Sequence, residues 1–300
     1  MNEFVLINDV GPRDGLQNQS CVLTPAQRLR LITTLADAGI KAIEMGAFVS
    51  PKAVPAMAGS DLVAAGLVHE SNIDYSALIP NHKGYQLATA AGIRTVNLVV
   101  AASNTMNKEN IRLSTTDAVA MCKEVIVQAN RDLIKTQVYI ATAWECPFEG
   151  RIAAARVIDL TAQLMAAGAA GIVIADTIGA ANPATVKTLL QPLIAEYGAQ
   201  RFTCHFHDTR AMGLANIYAA LEVGIRNFDA AIGGLGGCPF APGASGNVAT
   251  EDVALMLDQM GFDTGINLRQ LVVAADLATE LTGSCTGGHA IHWLKRSYQS

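Results

Sequence analysis

The triplet His205-Phe206-His207 carries more chemical information than any other short stretch of this chain. In a strand, residues two apart face the same side, so both imidazoles project together while Phe206 points away. Two convergent imidazoles and a carboxylate can form a divalent-metal site, with Asp14 supplying the oxygen and Asn247 an amide oxygen. A mixed oxygen and nitrogen set without thiolate suits Mg²⁺ or Mn²⁺, with Zn²⁺ and Co²⁺ as alternatives, better than a structural zinc site. One histidine of an isolated His-x-His is more often a hydrogen-bonded core residue than a ligand. Asp208 beside the pair, with Asp14 and Asn247 at matching strand ends, tips the balance toward a metal centre.

Other reactive side chains follow strand-like runs. Arg13 adjoins Asp14 among glycines, and a fixed cation there can stabilise an enolate or thioester oxygen. Glu44, a charge inside the apolar run Ala42-Ile43-Glu44-Met45, reads as support for Arg13 through a charge-assisted hydrogen bond. Asp176 reads equally well as a direct contact or as a support. The stretch Gly233–Asn247 has six glycines in fifteen residues, which lets backbone approach a ligand closely. Cys238 in its middle is a candidate acid or base brought in by loop closure, although a plain connector with an incidental thiol has the same composition. The absence of a Lys-Ser/Thr ending rejects a phosphate-binding loop. Lys52 can meet an anion, but a solvated lysine is the commoner outcome.

The elements that must position these groups are short β-rich runs: Phe4–Asn8, Lys41–Met45, Tyr75–Ile79, Thr95–Val100, Gln137–Thr142, Gly171–Ala175, Phe202–His207 and Asn227–Ala231. Between them lie helical patterns opened by Thr24-Pro25, Ser114-Thr115 and Asn182-Pro183. Gly39, Gly92, Gly168 and Gly224 stand where helix C-caps need a left-handed residue. Eight strands alternating with helices predict an α/β fold, a (β/α)8 TIM barrel over 1–267 with a C-terminal helical extension over 268–300. No GxGxxG opens the first helix, which disfavours a doubly wound sheet. The reactive residues all fall after C-terminal strand ends, where such barrels place their active sites.

Composition agrees. Of 300 residues, 51% are hydrophobic, 16% charged and 5% aromatic, so the core is built from small aliphatic side chains. The net charge of −5 comes without a basic run and suggests neither a nucleic-acid nor an anionic-membrane partner. The longest charge-free apolar stretch, 160–175, is shorter than the roughly 20 residues of a membrane helix. Six cysteines without a CxxC pair, and no leader-like N-terminus, predict a soluble cytoplasmic protein with reduced thiols.

Together these pieces resemble the 3-hydroxy-3-methylglutaryl-CoA lyase family of metal-dependent barrels, related to isopropylmalate and homocitrate synthases. The resemblance runs from about Val5 to Leu268. It is carried by Gly11-Pro-Arg-Asp-Gly-Leu-Gln-Asn18, Phe48-Val-Ser-Pro-Lys52, Cys146-Pro-Phe-Glu-Gly150, Asp176-Thr-Ile-Gly179, His205-Phe-His-Asp-Thr209, Gly234-Leu-Gly-Gly-Cys-Pro239 and Gly243-Ala-Ser-Gly-Asn-Val-Ala-Thr-Glu-Asp252. It implies a divalent ion, Mg²⁺ or Mn²⁺, on Asp14, His205, His207 and Asn247. Arg13 would polarise a thioester carbonyl, Cys238 would be the loop acid or base, and Glu44, Asp176, Gln17 and Tyr139 would line or support the pocket. The implied reaction is retro-Claisen cleavage of a 3-hydroxy-3-methyl acyl-CoA by a homodimer, as in leucine degradation and ketone-body formation.

Ala47, Asn104, Arg210 and the tail Thr286–Trp293 depart from the family pattern. These changes leave the metal and the cleavage chemistry alone and bear on the acyl group. An added arginine at the mouth can select a differently placed carboxylate, as in citramalyl-CoA. Two rivals are weighed against the lyase. A Claisen-condensing relative would carry accessory regions after the barrel and lack the Gly-Gly-Cys-Pro loop. A non-catalytic metal-binding barrel would not need Arg13, both histidines and Cys238 together.

Overall fold

The computed structural model describes residues 3–67, 72–237, 246–285 and 287–298. Its strands are β1 (Leu6–Asp9), β2 (Ala42–Ala47), β3 (Asp74–Leu78), β4 (Thr95–Ala101), β5 (Lys135–Ala141), β6 (Gly171–Asp176), β7 (Phe202–Phe206) and β8 (Asn227–Ala230). All are parallel neighbours in one closed barrel, in the order β1-β8-β7-β6-β5-β4-β3-β2. Closure is made where Leu6 pairs with Asn227 and Asp9 with Ala230. The (β/α)8 barrel expected from the sequence is the fold observed, and no strand end is displaced by more than two residues.

Local signals place the helices as expected. Thr24 caps Pro25–Asp37 in a capping box with Gln27, and Asn182 caps Pro183–Tyr197 in the same way with Thr185. Ser114 caps Thr115–Arg131. Gly39, Gly92, Gly168 and Gly224 have φ between +87° and +100°, the left-handed exits that turn each helix toward its next strand. Two features escaped the periodicity. A second helix, Asn104–Ile111, precedes Thr115–Arg131, and a short antiparallel hairpin pairs Glu145–Cys146 with Gly150–Arg151.

The apolar core lies between the barrel wall and the helices, filled by outward residues such as Ile43, Met45, Val138, Ile140, Ile172, Ile174 and Phe228. Many of the alternating inward positions are polar instead: Asn8, Glu44, Ser76, Asn97, Tyr139, His205 and Asp229 are all buried, with Val99, Val173 and Ala175 packed beside Tyr139. Every polar one must therefore find a partner inside the barrel, because a buried polar group left unpaired costs about 1–3 kcal/mol. Helix Leu268–Thr282 lays Leu271, Ala274, Ala275 and Ala278 into this same core, and Ile291–Tyr298 follows it. The intervening segment is tied to the barrel: Gly288 N–H donates to Glu251, and the N–H groups of His289 and Ala290 donate to Asp252. Among the described residues, no helix is long and apolar enough to cross a membrane.

Candidate active site

The wide helical turn Gly11–Gly15 follows β1 and is closed by Gly15 N–H donating to Val10 C=O at 3.1 Å. Wide turns of this kind are frequent at functional sites. Gly11 is required sterically, since a Cβ there would stand 2.7 Å from Asp9 Oδ1. The turn carries Arg13 and Asp14 side by side at the barrel mouth. Arg13 donates from Nε to Glu44 Oε2 at 2.5 Å and from Nη1 to Asp14 Oδ1 at 2.7 Å. Glu44, fully buried on β2, also accepts from Asn97 Nδ2 at 2.7 Å. Arg13 is thus held in one plane by carboxylates on two sides.

His205 lies on β7 and faces inward. The sequence put His207 on the same strand, but the strand ends at Phe206. His207 instead forms an isolated antiparallel bridge with Asn247 on the returning chain. The strand alternation survives this change, so the two imidazoles share a side with ring centroids 5.2 Å apart. Phe206 turns outward against Trp144, at 5.7 Å between centroids. Donor atoms of Asp14, His205 and His207 lie within 4.8 Å of one another.

Asn247 Nδ2 donates to Asp14 Oδ2 at 2.8 Å and to Leu235 C=O at 3.0 Å. Gly236 makes room for this amide, since a Cβ there would approach Asn247 Nδ2 to 2.6 Å, and its φ of +131° disfavours other residues. Two buried atoms in this group have no hydrogen-bond partner among the described residues: His207 Nδ1 and Asn247 Oδ1. Asn247 Oδ1 is an unspent acceptor on the amide that holds Asp14, and His207 turns its other nitrogen, Nε2, toward Asp14 Oδ2 at 4.0 Å, so the donor set fits the divalent cation that the sequence implied. Titration fits for Asp14 and His207. Burial would raise Asp14, but Arg13, both histidines and the Asn247 hydrogen bond outweigh it and hold the carboxyl at about 2. Burial, with His205 and Arg13, lowers His207 to about 4 against the pull of Asp14, leaving its ring neutral at pH 7. Burial also opposes charge on His205, but the hydrogen bond and charge of Asp229 with the charge of Asp14 raise it overall.

The remaining expected residues fall in several places. Asp176 ends β6, and its two oxygens accept from the N–H groups of Ala180 at 2.7 Å and Ala181 at 3.0 Å. Burial lifts it to about 6 despite those bonds and the nearby His205 and Arg210. These bonds tie Asp176 to the loop that follows β6. Tyr139 is buried inside the barrel with its hydroxyl on Asp229 Oδ2 at 2.7 Å. Gln17 is half-buried just beyond the Arg13 turn, and Lys52 is exposed after β2. Arg210 is half-exposed and donates to Glu145 Oε1 on the hairpin at 2.8 Å. Cys238 lies outside the described residues.

Sequence reasoning missed Asp229, Asn8 and Asn97, which hold the pocket from within. Asp229 had the signal that picked out Glu44, a charge inside an apolar strand, Asn227-Phe228-Asp229-Ala230. Of the atypical positions, Asn104 has a structural use: its Oδ1 accepts from the Thr115 N–H at the next helix start.

Residues 5–278 match the model of the HMGL-like family. The chain is 41% identical over 279 residues to hydroxymethylglutaryl-CoA lyase YngG of Bacillus subtilis, covering 93% of each. It is 42% identical over 291 residues to the (R)-citramalyl-CoA lyase of Chloroflexus aurantiacus, covering 94% of this chain and 92% of that protein. The crystal structure of hydroxymethylglutaryl-CoA lyase from Pseudomonas aeruginosa superposes with a TM-score of 0.95 at 37% identity, covering 99% of both chains.

Proposed function

This chain belongs to the HMGL-like family, and from that premise we propose that it is a carbon–carbon lyase cleaving 3-hydroxy-3-methylglutaryl-CoA to acetyl-CoA and acetoacetate. The observation that carries the reading is the set Asp14, His205 and His207, with donor atoms within 4.8 Å, beside the carboxylate-held Arg13.

Asp14, His205, His207 and the free Oδ1 of Asn247 would hold a divalent ion, Mg²⁺ or Mn²⁺. When bound, the ion supplies positive charge that lowers the pKa of the substrate's tertiary hydroxyl. A base at the mouth takes that proton, the C–C bond breaks, and the hydroxyl carbon becomes the ketone of acetoacetate. The electron pair of the broken bond passes to the thioester enolate. Arg13 has guanidinium N–H groups beyond those given to Glu44 and Asp14, and they stabilise the enolate oxygen. Because Glu44 and Asp14 already fix the guanidinium, little reorganisation is needed as charge develops. Cys238 then gives its thiol proton to the enolate carbon, completing acetyl-CoA.

Cleavage of an acyl-CoA panel with Mg²⁺ or Mn²⁺, following acetyl-CoA and the keto product, tests the reading. Fastest cleavage of 3-hydroxy-3-methylglutaryl-CoA supports it; condensation of acetyl-CoA with 2-keto acids, or no cleavage, overturns it. A second reading, citramalyl-CoA as substrate, is favoured by the Chloroflexus relative and by Arg210 at the mouth, and the same panel decides between them. For the loop thiol, Cys238→Ala is expected to lose most turnover while keeping bound metal; normal cleavage would remove Cys238 from the mechanism. Family resemblance further supports a homodimer serving leucine degradation and ketone-body formation, and light scattering on the purified protein measures the dimer.

A further inference from the structure

We propose that Asp229 is a positioning residue that fixes His205 with its Nε2 free for the metal, an inference that rests on reading Asp14, His205 and His207 as the ligand set. Asp229 and His205 are direct register partners across β8 and β7, so the sheet itself, not a loop, sets their separation. Asp229 Oδ2 stands 3.0 Å from His205 Nδ1 and accepts from the Tyr139 hydroxyl at 2.7 Å, while Oδ1 accepts from Asn8 Nδ2 at 2.8 Å. Three donors from three strands therefore converge on one carboxylate that is 2% exposed.

The tautomer follows from donor and acceptor counting. A carboxylate only accepts, so the short contact requires the hydrogen of neutral His205 to sit on Nδ1, which leaves the Nε2 lone pair available. The edge of the Tyr139 ring, 6.0 Å from the imidazole centroid at 75°, limits rotation of the ring. His207 is held differently. It lies past the end of β7, and its buried Nδ1 has no partner among the described residues. The tautomer of one imidazole is thus preset by the barrel, whereas no hydrogen bond to Nδ1 among the described residues presets that of the other. Asp229 is not among the clustered donor atoms themselves, so its effect passes through His205.

The test uses metal-free full-length protein and Mn²⁺ as the probe, with free Mn²⁺ read by electron paramagnetic resonance. Asp229→Ala is expected to bind Mn²⁺ about 10- to 100-fold more weakly, the usual effect of removing a carboxylate behind a ligating histidine. Asp229→Asn keeps an amide oxygen for the Nδ1 hydrogen but loses the charge, and an intermediate loss is expected. In the metal-free wild type at alkaline pH, where the His205 ring is neutral, ¹⁵N NMR should report the Nδ1–H tautomer, and Asp229→Ala should shift it. A lower thermal midpoint in both variants with unchanged Mn²⁺ affinity and tautomer would overturn the proposal and make Asp229 structural. If Asp229→Ala does not fold, the Asn variant and the wild-type spectrum decide. No substrate is present in these measurements, so a failure to cleave 3-hydroxy-3-methylglutaryl-CoA would refute the proposed reaction without touching this result.

Discussion

Asn247 donates to Asp14 at 2.8 Å across 233 positions of chain, locking the loop after β8 onto the turn after β1. Both hydrogens of the amide are spent, one on Asp14 and one on Leu235 C=O, so the orientation of Asn247 is dictated by its bonds. What remains is a buried acceptor, Oδ1, with no hydrogen-bond partner among the described residues. The interaction joins the two ends of the barrel sequence at the point where the chemistry is assembled.

Replacing that donor by an acceptor should make the protein depend on metal for stability. In Asn247→Asp a second carboxylate would face Asp14 at hydrogen-bond distance, and like charges so close raise the cost of the folded state. The metal-free variant is expected to melt below wild type. Saturating Mn²⁺ should recover more of its midpoint than of the wild type's, because a ligand that binds only the folded state stabilises by RT ln(1 + [L]/Kd). Thermal unfolding in EDTA and in Mn²⁺ checks this; equal metal shifts in both proteins would mean that Asn247 does not face the ion.

Glu44 should matter twice, to stability and to rate. It is fully buried and receives Arg13 Nε and Asn97 Nδ2. Removing one partner of a buried ion pair typically costs about 3–5 kcal/mol, because the other charge is stranded. Glu44→Ala is expected to lose stability of that order in urea unfolding. Glu44→Gln, which can still accept from Arg13, should lose less. If Arg13 stabilises the enolate, its loosening in Glu44→Gln should lower kcat toward the 10²–10³-fold range, on the order of losing one oxyanion donor. An unchanged kcat would separate Arg13 from the developing charge.

How much of this was legible in the sequence depends on the direction from which each residue is held. Strands buried on both faces write themselves as apolar runs, so Gly171–Asp176 and its neighbours stood out. Alternation placed His205 and His207 on one side without any tertiary knowledge. The bridge from His207 to Asn247 was not visible, because it depends on where the chain returns after β8. Asp229 carried the legible signal of a charge inside an apolar strand, but its role was hidden because its partners His205, Tyr139 and Asn8 come from three other strands of the barrel. Arg28 is a further example. It stands in a helix where a cation would be expected in water, yet it is fully buried and donates to Ala58 C=O at 2.6 Å.

Arg210 should act on substrate selection without acting on stability. Its bond to Glu145 joins two half-exposed side chains, and such surface pairs contribute only about 0–1 kcal/mol. Arg210→Ala is therefore expected to leave the thermal midpoint nearly unchanged. A hydrogen bond to a charged group is worth about 1.5–3 kcal/mol, so if Arg210 meets an acyl carboxylate, KM for that acyl-CoA should rise about 10-fold or more. The rise should differ between 3-hydroxy-3-methylglutaryl-CoA and citramalyl-CoA, whose carboxylates are placed differently. Equal KM values in wild type and variant for both compounds would confine Arg210 to its bond with Glu145.

Asp9 gives the protein a pH dependence of stability with a defined sign. Its oxygens accept from the Gly11 N–H at 2.8 Å and from the Thr250 hydroxyl at 2.7 Å in a fully buried site. Burial raises the carboxyl to about 7, with Glu251 adding to the rise while Thr250 and Gly11 pull it down. In the unfolded chain it titrates near 3.9, so between about 4 and 7 the folded state holds a proton that the unfolded state has released. The stabilisation is complete below about 4 and is lost as pH rises through 7. Asp176, held at about 6, contributes with the same sign; His207, lowered from 6.5 to about 4, offsets about one of these two contributions up to about 6.5, and Asp14 at about 2 acts oppositely only in more acid solution. The urea midpoint is thus expected to fall from pH 5 to pH 8. Asp9→Asn, which stays neutral throughout, should flatten that fall. A slope in Asp9→Asn as steep as wild type's would show that Asp9 is ionised in the folded protein across the whole range.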